Sequence, residues 1–272
     1  MLYQTLVNAS PFFLISGPCV IEDREIMLQT ADFLSKLCYK LKLPLVFKSS
    51  YRKANRTSET SYVGPGLQEG LKLLDMIKHE FSVPIITDIH ETQEIAACAE
   101  VCDIIQIPAF LCRQTELLHQ AAQTGKIVNI KKGQFMAPED MFAAAEKVSC
   151  MNNFNILLTE RGTTFGYHNL VVDFRSFAIM KSTGYPVIYD VTHSMQRPSV
   201  NRTSGGTPEF AAMMAGAAIG TGMVDGLFIE THPNPMEAFS DAASMIGLTQ
   251  MQGLLERCIR IKHAMEETDN AL

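Results

Sequence analysis

Five cations stand at corresponding places along the chain. Lys48, Lys131 and Arg161 each end an apolar run, and Lys53 and Arg56 lie in the loop after the first of these. Gathered at one mouth, that much like charge is stable only opposite a strongly anionic ligand. Arg makes bidentate contacts with phosphate, and Lys supplies a point charge. Two phosphates, or a phosphate and a carboxylate, match the count. Any one of the five reads equally well as a solvated loop residue; the matching positions argue against that for the set.

A second set is Cys19, His193, Glu230 and Asp241. A thiolate, an imidazole and two carboxylates suit a borderline divalent ion such as Zn2+ or Fe2+. No local pattern such as H-E-x-x-H supports the grouping. A lone Cys is commonly a small buried apolar group, and a lone His a hydrogen-bonded core residue. On spacing alone both readings stay open.

These residues sit where strands would deliver them. Eight apolar runs, FFLISGPC, PLVFK, PIITD, DIIQ, IVNIK, NILLTER, PVIYDVTH and GLFIE, end on Cys19, Lys48, Asp88, Gln106, Lys131, Arg161, His193 and Glu230. A (β/α)8 barrel builds its active site from the carboxyl ends of its strands. Strands one, seven and eight are neighbours when a barrel closes, so Cys19, His193 and Glu230 can meet. Asp241 lies eleven residues beyond Glu230, within reach on the last loop.

Between the runs, apolar residues recur at helical spacing over Ile26–Leu41, Leu67–Phe81, Thr92–Val101, Thr115–Ala122, Pro138–Val148, Leu170–Ser182, Thr207–Ile219 and Leu248–Met265. Strand and helix therefore alternate, which predicts a parallel sheet. The runs lack strict alternation, as strands buried on both faces do. A doubly wound sheet is the alternative. The turn Gly17-Pro18-Cys19-Val20 offers no G-x-G-x-x-G, and the glycines from Gly216 to Gly222 fall after a helix and before a strand, the wrong order for a nucleotide loop. The reading is one (β/α)8 TIM barrel domain over residues 1–272. Two long loops, Ser49–Gly66 and Ser194–Gly206, would stand above it as substrate clamps or lids.

Composition narrows the function classes. Apolar residues make up 47% of the 272, enough for a sizeable core, and the net charge of −6 argues against a nucleic-acid surface. No run approaches the ~20 apolar residues of a membrane span. Seven scattered cysteines without a CxxC pair, behind an N-terminus with neither a basic nor a long apolar region, predict a reduced, cytoplasmic protein. Cys98 and Cys102 read as helix core, and His79, His119 and His263 as helix surface. His90, two positions past Asp88, is ambiguous.

Taken together, several segments resemble the 3-deoxy-D-manno-octulosonate 8-phosphate synthase family. They include Phe47-Lys48-Ser49-Ser50, Lys53-Ala54-Asn55-Arg56, Ile85-Ile86-Thr87-Asp88 with His90, the stretch from Gln106 through Ala109, Phe110 and Arg113 to Thr115, Asn129-Ile130-Lys131-Lys132, Glu160-Arg161-Gly162, Asp190-Val191-Thr192-His193, and Phe228-Ile229-Glu230. The likeness runs from Gly17 to Asp241. It implies condensation of phosphoenolpyruvate with D-arabinose 5-phosphate and water, with release of phosphate, a step toward the lipopolysaccharide sugar. A related synthase that takes erythrose 4-phosphate typically carries KPRT where this chain has Lys53-Ala54-Asn55-Arg56, so the five-carbon sugar is favoured.

The resemblance also implies roles. Lys131 and Arg161 would hold the phosphate of phosphoenolpyruvate, and Lys48, Ser50 and Lys53 its carboxylate, helped by Gln106, Ala109 and Phe110. Asn55 and Arg56 would face the sugar, and Asp88 would complete the polar network. Arg113 would reach a neighbouring subunit's sugar phosphate, which implies a homotetramer. Metal-independent members carry Asn where this chain has Cys19. Cys19, His193, Glu230 and Asp241 thus match the metal-dependent branch, with one divalent ion of the Zn, Fe or Mn class, which polarises the aldehyde, activates water or orients both. One departure is Thr207-Pro208-Glu209 after Ser204-Gly205-Gly206, where other members often carry a basic or amide residue. Two other readings remain to be tested: a synthase for another aldehyde, and a phosphate-binding barrel without catalysis.

Overall fold

Inside the barrel the strands obey a strict two-residue period that the apolar runs conceal. The computed structural model describes residues 1–54, 61–197 and 205–269, with side chains to residue 267. Among them are eight parallel strands, β1 (Phe13–Gly17), β2 (Leu45–Lys48), β3 (Ile85–Asp88), β4 (Ile104–Ile107), β5 (Ile127–Lys131), β6 (Ile156–Glu160), β7 (Val187–Asp190) and β8 (Gly226–His232). Each pairs with the next, and β8 returns to β1 with Gly226 opposite Phe13 and Glu230 opposite Gly17. The (β/α)8 expectation holds.

The inward positions come in layers. Phe13, Ile15, Val46, Ile86, Ile104, Ile127, Leu157, Ile188 and Phe228 fill the interior as one apolar cluster. Each such side chain contributes roughly 1.5–3 kcal/mol on burial. The positions between them, such as Leu14, Phe47, Ile105, Val128, Leu158 and Tyr189, face outward into a second cluster under the helices. Two residues further along each strand the interior turns polar: Lys48 follows Val46, Asp88 follows Ile86, Gln106 follows Ile104, Asn129 follows Ile127, Thr159 follows Leu157, Asp190 follows Ile188 and Glu230 follows Phe228. The barrel thus has an oily floor and a charged ceiling.

The helices are α1 (Leu2–Val7), α2 (Arg24–Leu41), α3 (Leu67–Phe81), α4 (Ile95–Val101), α5 (Thr115–Gln123), α6 (Met141–Ser149), α7 (Arg175–Lys181), α8 (Val191–Ser194), α9 (Ala211–Ile219) and α10 (Leu248–Asp269). Sequence patterning does not predict α1. Its Leu6 packs with the inner cluster and plugs the base of the barrel, with Leu2 and Tyr3 against it. The helix expected over Leu170–Ser182 starts only at Arg175. Leu170–Val171 instead pairs antiparallel with Thr163–Thr164, and Asp173 accepts the Arg175 N–H at 3.0 Å, marking the helix start.

Five run ends also move: β1 stops at Gly17, two residues before Cys19, and β4 and β8 run past Gln106 and Glu230 to Ile107 and His232. β6 stops at Glu160, so Arg161 stands one residue past it, and β7 stops at Asp190, so His193 rides on the single turn α8. Asn55, Arg56, Arg202 and Ser204, expected in the two long loops, lie outside the described residues. Among the described residues no helix is long and apolar enough to cross a membrane.

Candidate active site

A cavity opens at the carboxyl ends of the strands, where a (β/α)8 barrel places its site. Lys48, Ser50, Lys53, Asp88, Ala109, Phe110, Lys131, Arg161 and His193 line it, together with Arg52, His90, Pro108 and Gln134. Arg113 is exposed and not among the lining residues.

Cys19, Glu230 and Asp241 converge at one wall, each with a ligand atom within 4.8 Å of the others. Close approach of the first two strands makes this possible: a Cβ on Gly17 would sit 2.0 Å from the Lys48 carbonyl oxygen, so only glycine fits there. The Cys19 thiol donates to Asp241 Oδ2 at 2.9 Å. Nε2 of His193 lies 3.6 Å from Glu230 Oε2 and 4.0 Å from Asp241 Oδ2. Asp190 faces the other ring nitrogen, Nδ1, at 2.8 Å. A carboxylate behind a histidine is the usual support of a metal-ligating imidazole.

The donor set fits a divalent ion. Glu230 Oε2 is buried with no hydrogen-bond partner among the described residues, an arrangement that is costly unless a cation faces it. Burial, then Asp241 and Glu230, push the Cys19 thiol well above its usual range, so metal binding would have to displace its proton. Soft sulfur, imidazole nitrogen and carboxylate oxygen together match the zinc and iron class.

The cations stand against this acidic wall. Lys48 Nζ donates to Glu230 Oε1 at 2.6 Å and to the Cys19 carbonyl at 3.0 Å, and lies 3.6 Å from Asp88. Burial would lower its pKa, but the carboxylates outweigh it and the net shift is upward. Burial favours the neutral form of Glu230, and His193 with Lys48, Lys53 and Lys131 overcomes this, holding its carboxyl well below the usual range. Lys131 reaches Asp190 at 2.5 Å and rests 4.0 Å above the centre of the Phe228 ring, a cation–π contact on the apolar floor. Arg161, its pKa drawn down chiefly by burial, donates to Gln196 at 3.1 Å.

The sequence profile of the DAHP synthetase I family matches residues 7–267. The chain belongs to the DAHP synthetase I family. Several relatives carry the name 2-dehydro-3-deoxyphosphooctonate aldolase. One from Acidithiobacillus ferrooxidans is 48% identical over 260 residues, covering 95% of this chain and 92% of its own. One from Trichlorobacter lovleyi is 51% identical over 245 residues, 90% of each chain. A third, from a Cyanothece species, is 48% identical over 259 residues, covering 95% and 94%.

Within this family member the polar ceiling is wired from strand to strand. Thr159 donates to Asn129 Oδ1 at 2.7 Å, Asn129 to Gln106 Oε1 at 2.8 Å, and Gln106 to Asp88 Oδ1 at 2.6 Å. Ser50 donates to Asp88 Oδ2. Gln106 is therefore fully buried below the cavity, its amide committed to Asp88 and Asn129. Burial favours the neutral form of Asp88, and Lys48, Lys53 and Lys131 outweigh it to hold the group below the usual carboxylate range.

Several site residues escape the sequence reading. Asp190, which holds both His193 and Lys131, hides inside a run read through to His193; its signal is its place in phase two residues after Ile188. Asn129 and Thr159 sit in the same phase. Arg52 leans on Glu91 and Glu94 at 3.1 and 3.2 Å, and Glu94 also accepts from Tyr51 at 2.6 Å. Gln134, at the cavity, has a buried amide oxygen without a hydrogen-bond partner among the described residues. No local pattern marks these last contacts.

Proposed function

We propose that this chain is a 3-deoxy-D-manno-octulosonate 8-phosphate synthase, the activity for which the relatives are named. It condenses phosphoenolpyruvate with D-arabinose 5-phosphate and water to give the eight-carbon sugar acid phosphate and inorganic phosphate, on the way to the lipopolysaccharide sugar. The observation that carries the site assignment is the cavity itself, with Lys53, Lys131 and Arg161 opening onto it beside the Cys19, Glu230 and Asp241 cluster.

Carbon 3 of phosphoenolpyruvate forms the new bond to the sugar's aldehyde carbon, whose oxygen takes a proton. Carbon 2 becomes electron-poor and gains the oxygen of water. Its bond to the phosphate oxygen then breaks, and phosphate leaves with that oxygen. Lys131 and Arg161 hold the phosphate, stabilising the charge that grows as it departs. Lys53, with Lys48 and Ser50 behind it, faces the carboxylate. Ala109 and Phe110 wall the cavity, and Gln106 acts through Asp88, which it fixes. Asn55 and Arg56 serve the sugar and its phosphate.

Alignment of three reactants is largely an entropic task, and such preorganisation is worth roughly 7–11 kcal/mol. Cys19, His193, Glu230 and Asp241 would hold one divalent ion of the zinc, iron or manganese class, which supplies Lewis acidity and orientation. His193 would present Nε2 to it, because Asp190 faces Nδ1. Exposed Arg113 meets the site of an adjoining subunit in a homotetramer. The seven free cysteines support a cytoplasmic setting.

The direct test measures phosphate released from phosphoenolpyruvate. Release that requires arabinose 5-phosphate is expected. Release with erythrose 4-phosphate alone would overturn the sugar assignment, and no release with either would overturn the enzyme.

A further inference from the structure

Cys19 lies near the start of the chain and Glu230 and Asp241 lie eleven residues apart near its end, and the segments that carry them meet at one side chain outside the cavity, Glu22. Glu22 lies three residues after Cys19, and its side chain is only 5% exposed. Its Oε1 accepts the backbone N–H of Phe239 at 2.9 Å, two residues before Asp241. Its Oε2 lies 3.6 Å from Nε2 of His232, two residues after Glu230. The His232 ring is held in turn by the Asn234 backbone, with Nδ1 2.7 Å from the carbonyl oxygen.

Asp241 needs such support. It stands at φ 52°, in the left-handed region that a residue with a side chain keeps only when its surroundings fix it. Its loop runs from the end of β8 to Ile246–Gly247 and has little regular structure of its own beyond a single 3-10 turn. The Phe239 ring packs edge-on against Tyr62 at 5.0 Å, and Tyr62 donates to the Ile21 carbonyl at 3.2 Å. On the other side, Gly206 lies so close to Ala243 that a Cβ would sit 2.4 Å from its carbonyl oxygen. The loop is thus anchored at both ends, and Glu22 supplies a charged anchor two residues before Asp241.

We propose that Glu22 is a positioning residue of the metal site, fixing the spacing of Cys19, Glu230 and Asp241 through Phe239 N and His232. This rests on the metal reading given above. Supporting groups behind metal ligands commonly govern affinity by about 10–100-fold, and a carboxylate joining three ligand-bearing segments is placed to do so.

The test is titration of the metal-stripped full chain with cobalt(II), read by the thiolate-to-cobalt absorption band. Glu22→Ala is expected to weaken cobalt binding by about 10–100-fold. Glu22→Gln, which keeps an acceptor for Phe239 N, is expected to recover part of that loss. Asp103→Asn serves as control. It removes the charge paired with Lys78 and leaves one acceptor oxygen where two serve Lys78 and the Ile85 N–H, far from the cluster, and should lower thermal stability while leaving cobalt affinity at the wild-type value. A folded Glu22→Ala with wild-type affinity, or an equal loss in the Asp103→Asn control, overturns the inference. If Glu22→Ala does not fold, Glu22→Asp, which withdraws the carboxylate by one methylene, decides in the same way: weakened binding upholds it and unchanged binding overturns it. Absence of any thiolate band in the wild type would instead overturn the metal reading, and this inference with it.

Discussion

Asp190 lies 2.8 Å from Nδ1 of His193, so the opposite ring nitrogen is the one turned toward Glu230 and Asp241. The same carboxylate also pairs with Lys131. Burial works against the charge on Asp190, and His193 and Lys131 together outweigh it, holding the group below the usual carboxylate range. One buried side chain therefore links His193, beside the Cys19, Glu230 and Asp241 cluster, to Lys131. Asp190→Asn should loosen both. Metal retained after dialysis against a chelator should fall, with affinity reduced about 10–100-fold, and KM for phosphoenolpyruvate should rise. Unchanged metal content would show that His193 is oriented without it.

Lys48 is the counter-ion of a buried carboxylate. It and Glu230 are almost completely buried, and Asp88 lies near. Removing one partner of a buried pair leaves an uncompensated charge, which typically costs about 3–5 kcal/mol. Lys48→Met should lose that much in chemical denaturation of the metal-free protein. Denaturation at the wild-type midpoint would contradict it.

Acid stability follows from Asp88. Its pKa is depressed in the fold, so the unfolded chain binds the proton more readily. Its contribution is complete above the unfolded value of about 3.9 and is lost as pH falls through the folded one. The stability gap between wild type and Asp88→Asn should be steady from neutrality to about pH 4 and narrow below it. A gap that does not narrow in acid would show that Asp88 is not held as a carboxylate.

Much of the site was legible because barrel topology converts strand ends into neighbours. Lys48, Asp88, Lys131 and Glu230 end or nearly end their strands and point inward, and Cys19 needs only the tight Gly17 passage to join them. The parity of the interior was harder to see, since both faces of every strand are apolar; it hid Asp190, Asn129 and Thr159. Helix α1 was missed because its six residues carry few of the usual signals, and tertiary contact with the barrel base stabilises it. Gln106 was visible as a strand-end amide, but its partners come from strands 18 and 23 residues away, so its burial could not be read locally.

Cys19→Asn separates two roles for the metal. The substitution removes the thiolate, and metal content should fall. Activity that becomes smaller but resistant to chelator would show that the ion mainly positions groups. Retention of tightly bound metal with full activity would remove Cys19 from the ligand set.

The central claim is condensation with cleavage between carbon and oxygen. It is tested by supplying phosphoenolpyruvate labelled with 18O at the oxygen that bridges carbon 2 and phosphorus, together with arabinose 5-phosphate. The label should leave in inorganic phosphate, at a rate that depends on the sugar, while the new oxygen at carbon 2 comes from water. Label retained in the sugar acid, or phosphate release indifferent to arabinose 5-phosphate, would contradict it.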